Sequence, residues 1–193
     1  MVLAAVSEAL RRVLWESFRD NPVTAPIVGS EAAIVFTNPT ETARDSSNRL
    51  SLWMYQITEN EFVKNEPPVR KNGHNQITET PLALNLNYLV TPFATTGESD
   101  HLLLGAAMQA LYENAIIKLH RPADDIFEEL RMIFCRLTLE ELTRIWEALR
   151  EPYRLSICYQ VRVTHIDSRR IFDKARVLSL DSDYRAVEDV REE

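Results

Sequence analysis

Glycine is scarce in this chain: four residues in 193, Gly29, Gly73, Gly97 and Gly105, none within five residues of another. Soluble proteins usually carry about 7%. Phosphate-cradling loops and nucleophile elbows need clustered glycines, because backbone must approach a ligand closely or turn sharply. Dinucleotide, P-loop and hydrolase-elbow chemistry are therefore excluded. Cysteine is scarce too. Cys135 and Cys158 both fall in predicted strands and are expected to be buried free thiols rather than a disulfide. Positive charge is in deficit, with a net charge of −7 and a pI near 5.2. That argues against nonspecific nucleic-acid binding, which needs a basic face. No apolar run approaches the ~20 residues of a membrane span. Residues 1–9 are apolar but lack the basic start of a signal peptide, so synthesis and retention in the cytoplasm are expected.

What remains is an ordinary globular composition, 45% hydrophobic and 26% charged. A chain of this length can bury roughly 70% of its unfolded surface without a metal or disulfide staple. One domain is expected over residues 1–180, followed by an acidic tail, 181–193, expected to be mobile at its end.

Two segments carry strict period-2 alternation. Leu82, Leu84, Leu86, Tyr88 and Val90 point one way, with Asn85, Asn87 and Thr91 opposite; the strand is bounded by Pro81 and Pro92. Over 153–166, Leu155, Ile157, Tyr159, Val161 and Val163 oppose Ser156, Gln160, Arg162 and Thr164. Alternation of this kind marks strands with one apolar and one polar face, hence an antiparallel sheet.

Residues 2–19 read as an amphipathic helix on Leu3, Val6, Leu10 and Phe18, ended by Asp20-Asn21-Pro22. A short strand is expected near Glu31–Thr37 and a loop over 38–49. Leu50–Thr58 is apolar on both faces, with Leu52 and Met54 pointing one way and Trp53, Tyr55 and Ile57 the other, and reads as a central strand covered on both sides. A second helix is expected over about 100–117 with Ser99 as N-cap, then a strand over Glu128–Leu137. Thr138-Leu139-Glu140-Glu141 is a capping box, opening a helix with the stripe Leu142, Ile145, Trp146 and Leu149. The polar stretch of about 61–80 reads as a long loop or protruding hairpin. The fold class is α+β: a mainly antiparallel, twisted sheet with helices packed on it.

The candidate chemistry is thin. None of His74, His101, His120 and His165 has metal-ligand spacing. His101 beside Asp100, and His165 near Asp167, could each be half of an acid–base pair, but no third orienting group is in view. Asp124-Asp125 and Asp181 with Asp183 lack the ligand spacing and the glycine of a calcium loop. Trp15, Trp53 and Trp146 sit on apolar faces and are expected to pack in the core. No cofactor, metal or catalytic residue is expected. The basic doublets Arg70-Lys71 and Arg169-Arg170 could dock a partner on an otherwise acidic protein.

Four blocks carry a family resemblance. They are Leu52-Trp53-Met54-Tyr55-Gln56-Ile57-Thr58-Glu59-Asn60; Pro81 through Pro92; His101-Leu102-Leu103-Leu104-Gly105; and Leu139-Glu140-Glu141-Leu142 with Ile145-Trp146, joined to Pro152-Tyr153-Arg154-Leu155-Ser156. They resemble the N-terminal domain of the cap, or tail-terminator, protein of extracellular contractile injection systems, which are phage-tail-like particles of the virulence-cassette and antifeeding-prophage type. The match covers most of residues 1–168. It implies a phage tail-terminator-like fold and a structural, non-enzymatic role: a six-fold ring that ends tube polymerisation and anchors the last sheath ring. The implied partners are further copies of the chain, the inner-tube protein and the sheath protein, with no nucleic acid and no membrane, in a particle that can be released from the cell. A non-catalytic connector of another phage-tail-like assembly is the alternative. The 61–80 loop and the tail after Ile166 are the elements expected to reach neighbours, so Phe62, Lys64, Arg70, Lys71, Arg169 and Arg170 are the candidate contact residues. A metal-dependent hydrolase built on Asp124, Asp125 and a histidine is the competing enzymatic reading.

Overall fold

A computed structural model describes residues 2–62, 76–78, 81–121, 126–166 and 171–173. Its centre is a six-stranded sheet. In chain order the strands are β1 (Ile34–Val35), β2 (Leu50–Glu59), β3 (Gln76–Thr78), β4 (Leu82–Pro92), β5 (Ile116–Arg121), β6 (Ile126–Cys135), β7 (Ile157–Ile166) and β8 (Ile171–Asp173). The main sheet runs β1-β2-β4-β7-β6-β5, while β3 and β8 form a separate two-stranded ribbon. Among the described residues only β1–β2 is parallel; the other pairs are antiparallel, as alternation leads one to expect.

Helices α1 (Val2–Asp20) and α4 (Gly97–Glu113) cover one face of this sheet. Short helices α2 (Ala25–Val28) and α3 (Pro39–Thr42) lie in the connections, and α5 (Leu139–Leu149) precedes β7. The core lies between α1, α4 and the sheet. Val6, Leu10, Leu14 and Phe18 of α1 meet Leu103, Ala107, Ala110 and Leu111 of α4 over Leu52, Leu86, Tyr88, Val90, Leu130 and Val161, all buried. A polar contact crosses this core: the Ser7 hydroxyl and the Tyr88 phenol lie 2.9 Å apart. Burial pushes the Tyr88 phenol up to about 12, against the lowering effect of that hydrogen bond.

Several expectations need correction. The strand expected over Glu31–Thr37 is a 3-10 turn at Glu31–Ala33 followed by only two residues of strand. Residues 38–49 contain α3, whose Asn38 cap accepts from the Glu41 amide at 2.8 Å. Helix α4 is capped by Thr96, not Ser99; the Thr96 hydroxyl accepts from the Ser99 amide at 3.2 Å. It ends at Glu113 rather than 117, and the next residues form β5, which the apolar run Ile116-Ile117 had merged into the helix. The strand expected from 153 begins at Ile157, because Arg150 closes α5 in the left-handed region (φ 58°) and the chain is irregular as far as Ser156.

Strand β2 is covered at one end only. Its first residues are buried and Gln56–Glu59 are exposed. β1 pairs only with Leu50 and Ser51, so beyond them no described strand lies on that side. A bulge at Tyr55 also changes the facing: Ile57 stands opposite Leu86, on the same face as Leu52 and Met54 rather than the reverse face. The tail 181–193 lies outside the described residues, as does most of the 61–80 connection.

Candidate functional site

The reverse face of the sheet was expected to be polar. It is polar but largely enclosed: Asn87 is 6% exposed, while Ser51 and Thr91 are fully buried. Across β2, β4 and β7 runs a one-way ladder of donors. Arg162 Nε donates to Gln160 Oε1 at 2.8 Å, Gln160 Nε2 to Asn87 Oδ1 at 3.2 Å, and Asn87 Nδ2 to Gln56 Oε1 at 3.2 Å. The amides of Gln160 and Asn87 each take one bond and give one, and Gln56 accepts the last, so the chain fixes three strands in register.

Beside the ladder stand the two free cysteines, directly opposite each other on β6 and β7. The Tyr55 hydroxyl lies 3.2 Å from the Cys158 sulfur. The Cys158 thiol, and then the nearby Arg162 guanidinium, draw Cys135 down to about 7 against the opposing effect of burial. The Cys135 sulfur and then burial push Cys158 up, and burial foremost pushes the Tyr55 phenol up. One thiol is thus acidified and one suppressed within a single cross-strand pair.

Helix α5 closes the far end of this face. Its capping box forms as expected, with the Glu141 amide donating to Thr138 Oγ1 at 3.2 Å and the Thr138 amide to Glu141 Oε2 at 2.8 Å. Of the expected stripe, Trp146 is 3% exposed, while Leu142, Ile145 and Leu149 are half-buried. Trp146 Nε1 donates to Ser156 Oγ at 3.3 Å and its ring meets Tyr153 edge-on at 6.1 Å. Trp15 packs against the core as expected, and Trp53 is half-buried beside Tyr55.

Asp100 does not serve His101. Its carboxylate accepts from the Ala94 amide at 2.7 Å and from Arg154 Nη2 at 3.0 Å, while Arg154 stacks 4.6 Å over the Phe93 ring. This clamp ties the start of α4 to the segment before β7. Asp124, Asp125, Asp181 and Asp183 lie outside the described residues. Among the described residues, no group of three His, Cys, Asp or Glu side chains could hold a metal, and no helix is long and apolar enough to cross a membrane. A groove of about 340 Å³ between the C-terminal ends of α1 and α4, lined by Glu16, Asp20 and Glu113 among others, is open and shallow.

Of the candidate contact residues, Phe62 is 90% exposed, held at the end of β2 where its amide donates to Asn60 Oδ1 at 3.2 Å. Lys64, Arg70, Lys71, Arg169 and Arg170 lie outside the described residues. The segments that carry them nonetheless meet: β3, from the long connection, pairs with β8, from beyond β7. Three large apolar side chains of α4 are exposed. Leu102, Met108 and Tyr112, the last 81% exposed, lead toward Ile116 at the start of β5.

A sheet covered by helices on one face and cross-linked by amides on the other defines an α+β module. The chain belongs to the Pvc16 N-terminal domain family, whose model matches residues 5–179. Among solved structures it is similar to the PVC sheath/tube terminator of an extracellular contractile injection system, in the extended state. There the TM-score is 0.66 at 17% identity, with 99% of this chain and 66% of that chain covered. The chain thus spans somewhat less than two thirds of that protein. The tube-terminating cap of the anti-feeding prophage also matches, at a TM-score of 0.48 and 20% identity, over 69% of this chain and 48% of that one. Both are named as terminators and neither as an enzyme. No curated protein matches the chain.

Proposed function

We propose that this chain is the terminator domain of a contractile injection particle: it seats on the distal end of the inner tube, closes into a six-copy ring, stops tube growth and holds the last sheath ring. The observation that carries this reading is the family match across residues 5–179 on a terminator-like α+β fold. The physical requirements are modest. A head-to-tail interface must close after a fixed rotation, and the ring must present one face to the tube and a non-propagating face outward. The role needs shape and edges, not acid–base chemistry. Residues 1–180 act as one body in this reading, and the 61–80 connection with the segment after Ile166 reaches the neighbours.

Electron microscopy of particles carrying a tagged chain tests the location. Label confined to the end opposite the baseplate, in six copies, supports termination. Label along the tube or at the baseplate overturns it in favour of a connector.

A further inference from the structure

Cys135 and Cys158 form the last rung of the β6–β7 ladder. Cys135 ends β6, and Cys158 stands directly opposite it near the start of β7. Residues that face each other across an antiparallel pair project from the same side of the sheet, with Cα atoms about 4.5 or about 5.5 Å apart according to the rung. Both separations lie within the roughly 4.4–6.8 Å that a disulfide spans. The two thiols are free, yet the backbone already holds them at bridging distance.

Their surroundings differ in a useful way. Cys135 is half-buried, so a small molecule can reach its sulfur, and the Cys158 thiol and then the Arg162 guanidinium favour its thiolate. Cys158 is 2% exposed and cannot meet such a molecule first. The Tyr55 hydroxyl, 3.2 Å from the Cys158 sulfur, is placed to donate to it when it becomes a thiolate. One sulfur is set to attack and the other to resolve.

We propose that Cys135 and Cys158 are a two-electron redox pair that closes a cross-strand disulfide when the chain meets a small-molecule disulfide. The Cys135 thiolate attacks one sulfur of that oxidant. The oxidant's S–S bond breaks, one thiolate leaves, and a mixed disulfide stands on Cys135. Cys158 then gives its proton to the released thiolate and attacks the Cys135 sulfur, expelling the second thiolate. The protein loses two electrons, and the oxidant is reduced to two thiols. The new bond closes the mouth of the segment between β6 and β7, which carries α5. Among the residues of α5 only Trp146 is buried, so the bond staples a lightly anchored element. This inference concerns the chain by itself and stands or falls apart from the terminator reading.

Oxidised glutathione, added near pH 8 to the full chain, tests it. The parent should lose two hydrogens by intact mass, retain no glutathionyl group, stay monomeric on a non-reducing gel and yield a linked Cys135–Cys158 peptide. Its melting temperature should rise by roughly 5–10 °C, because closing a loop of this length restricts the unfolded chain, and a reductant should reverse the rise. Cys158→Ala should trap one glutathionyl group on Cys135, and Cys135→Ala should react about tenfold more slowly. Circular dichroism checks that both variants fold, and the parent's linked peptide decides the matter if either does not. Absence of that peptide, a glutathionyl group retained on the parent, linkage only between chains, or linkage with no rise in melting temperature overturns the proposal. Equally fast reaction of a folded Cys135→Ala also overturns it.

Discussion

The two faces of the central sheet are filled by different chemistry. Against α1 and α4 the contacts are apolar and interdigitated, from Leu10 and Phe18 through Leu86 and Tyr88 to Leu103 and Leu111. On the reverse face strands are joined by a directional amide and guanidinium ladder, beside a thiol pair facing across β6 and β7. Apolar packing is non-directional and scales with area, so the first face sets stability. A ladder whose inner amides each both accept and donate tolerates only one register, so the second face sets alignment of the strands.

Truncation on the apolar face should have the largest effect. Leu86 is fully buried in the centre of β4. Leu86→Ala should lower the unfolding free energy by about 3 kcal/mol, read by urea denaturation, because a cavity is added to the lost transfer energy. A loss below ~1 kcal/mol would mean that this face is not the stabilising one.

Breaking the ladder should cost less and do something different. Asn87→Ala should destabilise by about 1.5 kcal/mol, since Gln56 and Gln160 each lose a partner. Hydrogen exchange should rise in β2 and β7 while α1 and α4 stay protected. Uniform loss of protection would erase the distinction between the faces.

The thiol pair sharpens the comparison by pH. Cys135 is lowered from the ordinary 9.0 to about 7, and Cys158 is raised. Alkylation near pH 8 should modify Cys135 about tenfold faster than Cys158, by peptide mass spectrometry. The Cys135 rate should be half-maximal near about 7 in the folded protein and move toward the ordinary value in urea. The linkage sign follows from the depressed value: the stability that the Cys135 thiolate contributes is complete above pH 9.0 and is lost as pH falls through about 7. Equal reactivity of the two thiols would contradict the acidified pair.

How much of this was legible in the sequence depends on what each signal reports. Alternation in 82–90 gave the strand and the correct grouping of Leu84, Leu86, Tyr88 and Val90, and Thr138 with Glu141 gave the start of α5. Alternation says which residues share a face but not what covers that face, so the burial of Asn87 and Thr91 could not be read. The bulge at Tyr55 has no composition cue, and it returned Ile57 to the opposite side from the one expected. β5 was hidden because only Asn114 and Ala115, with no glycine or proline, separate Glu113 from the strand. The edges were invisible for a deeper reason: strand order is a long-range property, and only pairing shows that β5 and the end of β2 lie outermost. Of the candidate contact residues only Phe62 is described, at 90% exposure.

The scarcity of glycine leaves one small signature. Arg150 closes α5 in the left-handed conformation, with φ at 58°. Glycine adopts this region without the Cβ penalty, so Arg150→Gly should raise stability by roughly 0.7 kcal/mol, as a rise in melting temperature of a few degrees. A decrease would show that the Arg150 side chain contributes more than its backbone costs.

The most direct measurement is the length of tubes made in cells that lack this chain but retain tube and sheath. Termination by this chain predicts tubes of uncontrolled length with a poorly held distal sheath, corrected when the chain is supplied again. Particles of uniform, parental length with firmly attached sheath, assembled in its absence, would contradict it.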